Sequence, residues 1–131
     1  MGIRLSLLIP TWPLGICQMD PGKPIPPWAL ESPFFSITRS PDELSIICDC
    51  RSIPTGVKAD IGWRAIQAEG PFDFSLIGIM LSVTTPLAEA GISILAISSF
   101  DTDYVLVKDT NLANAITALI NAGHTVRCLP D

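Results

Sequence analysis

The segment SSFDTDYVLV, Ser98 to Val107, sets two aspartates, Asp101 and Asp103, on either side of Thr102, where one apolar run ends and the next begins. Acids in such a place fit four chemistries: a solvated turn, a metal clip, an acid–base pair, or an anchor for a small charged ligand. Turns favour aspartate because its carboxylate bonds nearby backbone amides, so Asp101 and Asp103 also read as plain turn residues. A calcium loop needs a glycine and a distal glutamate that this stretch lacks. An acid–base pair finds no companion motif. The one histidine, His124, falls at the start of the last expected strand and reads as a surface or edge residue; no Ser-His-Asp or Cys-His arrangement recruits it. No phosphate-cradling glycine loop is present. The residues therefore point away from an enzyme, a cofactor and a metal.

An anchor for a small charged ligand suits a zwitterion such as a free amino acid. Its carboxylate needs clustered N–H donors, which a helix N-terminus supplies together with a favourable dipole. A helix opening near Leu76–Ile79 is such a place, and Gly78 lets a ligand approach without a Cβ in the way; Gly78 equally fits close helix–sheet packing. The ammonium needs an acceptor, and Asp103 at the mouth of a neighbouring strand offers one, worth roughly 1.5–3 kcal/mol as a charge-assisted bond. Asp73 or Asp101 would then meet a cationic ligand side chain, favouring arginine or lysine.

These residues need elements to hold them. Nine of the 12 prolines lie before residue 55, so the first half should consist of short strands and turns. Strands are expected at Arg4–Ile9, Leu14–Gln18, Phe34–Arg39 and Leu44–Asp49, with Ser40–Glu43 as a turn and PPWALE as one helical turn. The second half is regular. WRAIQAEG reads as a strand. SLIGIMLSVTTPLAEAG reads as a helix whose stripe is Leu76, Met80, Val83, Leu87 and Ala90, closed by Gly91 and kinked at Pro86. ISILAIS and DYVLVK are strands. NLANAITALINAG is a helix with Leu112, Ile116, Leu119 and Ile120 on one side, capped by Asp109 or Thr110 and ended by Gly123. HTVRCL is a last strand. The order strand–helix–strand–strand–helix–strand predicts an α+β, ferredoxin-like βαββαβ sheet, antiparallel, with two helices on one face. ISILAI and YVLV are apolar at nearly every position, so the other face or an edge should also be covered.

Composition bounds the partners. A net charge of −5 with eight scattered basic residues argues against nucleic acid. No apolar run reaches the roughly 20 residues that span a bilayer, IRLSLLIP is too short for a secretory core, and MGIRLS matches the myristoylation pattern as chance would. A cytoplasmic protein is expected. Cys17, Cys48, Cys50 and Cys128 read as free thiols of a reduced compartment, with Cys48 and Cys50 on one face of a strand and no second pair to make a metal site.

The stretch from PFDFSLIGIM through PLAEAGISILAISSFDTDYVLV to ITALINAG resembles the ACT-domain superfamily of regulatory domains. It is most similar to small tandem ACT-like proteins related to aspartate kinase regulatory domains and to the cytosolic arginine sensors of animals. FFSITRSPDELSII resembles the end of a partner unit. The resemblance implies a degenerate, strand-rich ACT-like unit over residues 1–61 and an ACT domain over 62–131. It implies a regulatory protein, not an enzyme, that binds an amino acid or related metabolite where ACT-like units meet. Contacts would come from the loop before the first helix (Asp73, Phe74, Ser75, Leu76), the helix entry (Ile77, Gly78, Ile79) and the strand–turn–strand segment (Ser98, Ser99, Asp101, Asp103). A homodimer and a regulated protein partner are implied, and no cofactor. The alternative is a structural or interaction module that uses the ACT fold only to pair.

Overall fold

The computed structural model describes residues 3–70 and 78–130. The chain divides into two compact units, one made of residues 12–63 and the other of residues 1–11 and 64–131.

The 12–63 unit is built from strands too short and too proline-broken for helices. Strands β2 (Leu14–Met19), β3 (Ser36–Arg39) and β4 (Leu44–Asp49) are joined by the first part of β5 (Lys58–Ala68). All pair antiparallel in the order β3-β4-β2-β5, with Leu14 opposite Asp49 and Ser36 opposite Ile47. The β3–β4 turn closes as its sequence predicts: Ser40 N–H donates to the Glu43 carbonyl at 2.9 Å, and Ser40 Oγ accepts the amides of Asp42 and Glu43. Pro27 opens a short 3₁₀ turn, Pro27–Leu30, which drops Ala29 onto Leu44, Ile46 and Cys48. Cys48 is buried in β4, but Cys50 does not share its strand face, because the chain has already turned into a 3₁₀ segment, Cys50–Ser52. Gly62 has φ +85° and sits where the β2–β5 register slips, opposite the Leu14/Gly15 step. It is the extra residue of a bulge, in a backbone conformation that side chains disfavour.

The other unit holds β1 (Ser6–Ile9), the rest of β5, α1 (Ile79–Glu89), β6 (Ile94–Ser98), β7 (Asp103–Lys108), α2 (Leu112–Asn121) and β8 (Thr125–Cys128). From β5 onward this is the expected βαββαβ order. One strand is added: β1 lies between β5 and β8, antiparallel to the first and parallel to the second, giving β8-β1-β5-β7-β6. Its apolar alternation suits that place, since Leu5, Leu7 and Ile9 enter the same core as Ile66 and Ala68 of β5 and Val105 and Val107 of β7. Ile79, Val83 and Leu87 of α1 and Ala115 and Leu119 of α2 close that core from one side. On the opposite face Ala65 of β5 and Leu106 of β7 are fully buried as well, as the YVLV run requires, whereas β6, the ISILAI strand, stays half-buried to exposed along its length.

Three helix details differ from expectation. The buried stripe of α1 begins at Ile79, while Met80 packs only partly and Ala90 is exposed; Leu76 lies outside the described residues. Ile120 is 52% exposed, because the buried face of α2 runs through Ala115 and Leu119, four apart, and Ile120 lies one step round the helix from it. Neither Asp109 nor Thr110 caps α2, since residues 109–111 form a 3₁₀ turn that leads directly into it. Gly123 does end α2, at φ +102°, with His124 N–H returning to the Leu119 carbonyl.

Candidate functional site

The β6–β7 hairpin places the aspartates of the opening segment in different roles. Ser98 and Asp103 are paired across the strands. Ser98 Oγ donates to Asp103 Oδ1 at 2.7 Å, which fixes the carboxylate and leaves Oδ2 for another donor. One step outward, Ser99 donates through both its amide, at 2.8 Å, and its hydroxyl, at 3.0 Å, to the Thr102 carbonyl. Phe100 and Asp101 form the tip. Phe100 is 78% exposed and Asp101 is exposed beside it.

Thr102, lying between the acids, faces inward. It is buried, and its hydroxyl donates to the carbonyl of Ala68, the last residue of β5. That bond ties the hairpin to the point where the chain leaves β5 for the loop toward α1. Sequence reasoning passed over Thr102, although a threonine between two acids, with a methyl to bury and a hydroxyl to satisfy, was the available cue.

The helix entry is the second part. Gly78 is the N-cap of α1 at φ +88°, the left-handed region that glycine enters without cost. Among the described residues a Cβ built there would meet only Ile3, at 3.6 Å, an ordinary contact. Backbone conformation, and not helix–sheet crowding, is therefore what requires glycine. With no side chain, Gly78 caps none of the first-turn amides. Ile79 points its side chain into the core, so what it can offer a ligand is its N–H. Asp73, Phe74, Ser75, Leu76 and Ile77 lie outside the described residues. Ser98 and Asp103 are thus joined by a direct bond, Ser99 holds the Thr102 carbonyl instead, Asp101 stands apart at the tip, and Gly78 and Ile79 form a separate helix-entry group.

His124 corrects the surface reading. It is 5% exposed. Nδ1 accepts the Leu5 amide at 3.1 Å, which places the ring proton on Nε2, and Nε2 donates to the Ser82 carbonyl at 2.9 Å. Ser82 is four residues before Pro86, which has no N–H to return. The imidazole takes the place of the missing helix bond. Both nitrogens are therefore engaged in structure.

Burial and neighbouring sulfur set the cysteines apart. Burial pushes the Cys48 thiol up to about 12, and the adjacent Cys17 and Asp49 add to it; Cys17 is also raised by burial. All four cysteines are free. No group of three or more metal-ligating side chains gathers among the described residues.

Residues 58–121 match the family model described as an ACT domain, and residues 13–56 match a second model described as an N-terminal domain. The fold agrees with that assignment, element by element, from β5 to β8. Residues 58–121 are an ACT domain. A solved protein of Agobacterium tumefaciens superposes with a TM-score of 0.94 at 40% identity, covering 99% of this chain and 97% of its own. The cytosolic arginine sensor for mTORC1 subunit 1 of Bos taurus is 28% identical over 97 residues, 66% of this chain and 30% of the sensor. This ACT-domain chain thus matches about a third of that relative's length. The ligand-free regulatory subunit of aspartate kinase from Thermus thermophilus shares the fold, with a TM-score of 0.61 at 13% identity over 94% of this chain and 98% of that one. No described helix is long and apolar enough to cross a membrane.

Proposed function

We propose that this ACT-domain protein is a non-catalytic, cytoplasmic amino-acid sensor that binds its ligand between ACT-like units of two copies in a homodimer. The observation that carries the proposal is the Asp103 carboxylate, fixed by Ser98 on a hairpin that Thr102 fastens to the end of β5. Asp103 accepts the ligand ammonium. The amides of Gly78 and Ile79, where Gly78 has no side chain to cap the helix, receive its carboxylate, supported by the positive end of α1. The segment Asp73–Ile77 contributes to the carboxylate side, Ser99 lines the approach, and Asp101, or Asp73, meets a cationic side chain, which selects arginine or lysine. The likeness to an arginine sensor supports the same class. Ligand occupancy would be transmitted to a regulated protein partner.

A thermal-shift screen against the twenty amino acids tests this. A ligand at 100 times its dissociation constant adds about 2.7 kcal/mol of stability, several degrees in Tm. Asp103→Asn should abolish that shift. A flat response to every amino acid at millimolar concentration would count against the proposal.

A second reading, an interaction module with no ligand, is favoured by β6, which among the described residues pairs only with β7 and leaves its other edge open, and by the exposed Phe100. Under that reading Asp103→Asn changes nothing, and truncating Phe100 weakens self-association.

A further inference from the structure

We propose that the outer face of α1 carries a second ligand site, for a flat or alkyl apolar molecule bearing one amine and no carboxylate. A groove of about 440 Å³ runs along this helix, within the size range of small-molecule sites. Its walls include Ile3, Gly78, Leu81, Pro86 and Ala122. Leu81 is 65% exposed, a large side chain on a helix surface with no core of its own.

The polar lining decides what the groove accepts. His124 lines it, but both ring nitrogens are engaged, one with Leu5 and one with the Ser82 carbonyl. Ser82 also lines it, and its hydroxyl is committed to the Ile79 carbonyl at 2.9 Å. Thr85 and Glu89 are left. They stand four residues apart, so they lie one above the other on the same helix face. Glu89 forms no ion pair among the described residues, and no basic residue shares the last turn of α1. A carboxylate at that end opposes the helix dipole. A bound cation relieves both, accepting neutralisation from Glu89 and donating to the Thr85 hydroxyl. No cationic side chain lines the groove; Arg4 lies over Gly123, outside the lining. A carboxylate on the ligand therefore has no partner near Glu89. The α1 amides at Gly78 are a whole helix of 11 residues away, roughly 16 Å at 1.5 Å per residue, too far for the two charges of one α-amino acid. The groove and the amino-acid site thus share Gly78, and the amine anchor at Glu89, at the far end of α1, sets them apart.

The test is a titration followed by amide NMR, using tryptamine, tryptophol and indole-3-acetate as probes that share a ring and differ in charge. Tryptamine should give saturable shifts at Leu81, Thr85, Glu89 and Ala122, with tryptophol weaker and indole-3-acetate weakest. Glu89→Gln keeps the shape and removes a charge that opposes its own helix, so the variant should fold; it should weaken tryptamine by roughly tenfold or more. Ala122→Trp, which fills the groove from the exposed end of α2, should remove tryptamine binding while leaving any amino-acid response in place. No saturable shift along α1, equal binding of indole-3-acetate, or unchanged affinity in Glu89→Gln would each overturn the proposal.

Discussion

The imidazole of His124 and the carbonyl of Ser82 stand 2.9 Å apart, and that bond replaces the one Pro86 cannot make. A proline inside a helix removes a donor and leaves the carbonyl one turn back without its partner. In this chain the ring that follows α2 reaches across to supply the donor, while its other nitrogen holds the Leu5 amide of β1. One side chain therefore links α1, β1 and the α2–β8 connection.

Removing it leaves a buried amide and a carbonyl unsatisfied. His124→Ala should destabilise the fold by about 2–4 kcal/mol, taking each stranded group at 1–3 kcal/mol with partial access of water. Pro86→Ala returns an N–H to Ser82, so the His124→Ala cost should fall by about 1 kcal/mol in the Pro86→Ala background. Urea denaturation of the four-member cycle measures this. Strict additivity would show that the histidine does not serve the carbonyl that the proline strands.

Asp49 gives a pH dependence with a definite sign. Its carboxylate accepts from the Arg51 amide at 2.8 Å and from the guanidinium at 3.0 and 2.6 Å, and the Arg51 bonds hold its pKa below the usual carboxylate range. A lowered folded pKa means that the unfolded chain binds the proton first on acidification. The contribution is complete above about pH 4 and is lost as pH falls further through the folded value. Asp49→Ala should cost about 1–2 kcal/mol at pH 7, mostly the lost cap of the Cys50–Ser52 turn. The gap between variant and parent should narrow in denaturation curves taken toward pH 3.

The thiols should react in order of exposure. Cys128 is exposed and Cys50 partly so, whereas Cys17 and Cys48 are buried and raised, Cys48 to about 12. The thiolate is the reactive form. Native protein treated with a thiol-specific disulfide reagent at pH 8 should modify Cys128 first and Cys50 more slowly, with Cys17 and Cys48 labelled only on unfolding. Rapid labelling of Cys48 in native protein, read by peptide mass mapping, would contradict the burial.

Periodicity made most of the fold legible. The apolar alternation of β4 and the 3.6-residue repeat of both helices were readable because each follows from one face meeting one core. What stayed hidden depended on contacts distant in sequence. Nothing local tells that Ser6–Ile9 inserts between β5 and β8, since a short apolar strand fits any vacant ladder. His124 read as exposed because its two partners, Leu5 and Ser82, lie 119 and 42 residues away. Gly78 was legible as special, but the left-handed backbone that explains it was not. Asp101 and Asp103 look equivalent in sequence, and strand register alone separates them, pairing Asp103 with Ser98 and leaving Asp101 at the tip.

Thr102 is where the hairpin and the ligand proposal meet. Its hydroxyl donates to the Ala68 carbonyl from a buried position. Thr102→Val keeps the shape and the methyl but strands that carbonyl, at a cost of about 1–3 kcal/mol. Thr102→Ser keeps the donor and should lose less. If the hairpin positions Asp103 for an ammonium, Thr102→Val should also shrink the amino-acid-induced rise in Tm by more than its stability loss explains, because a loosened hairpin no longer presents a fixed acceptor. Thr102→Ser should retain most of that rise. Equal responses from both variants would show that the tether supports the fold without positioning Asp103.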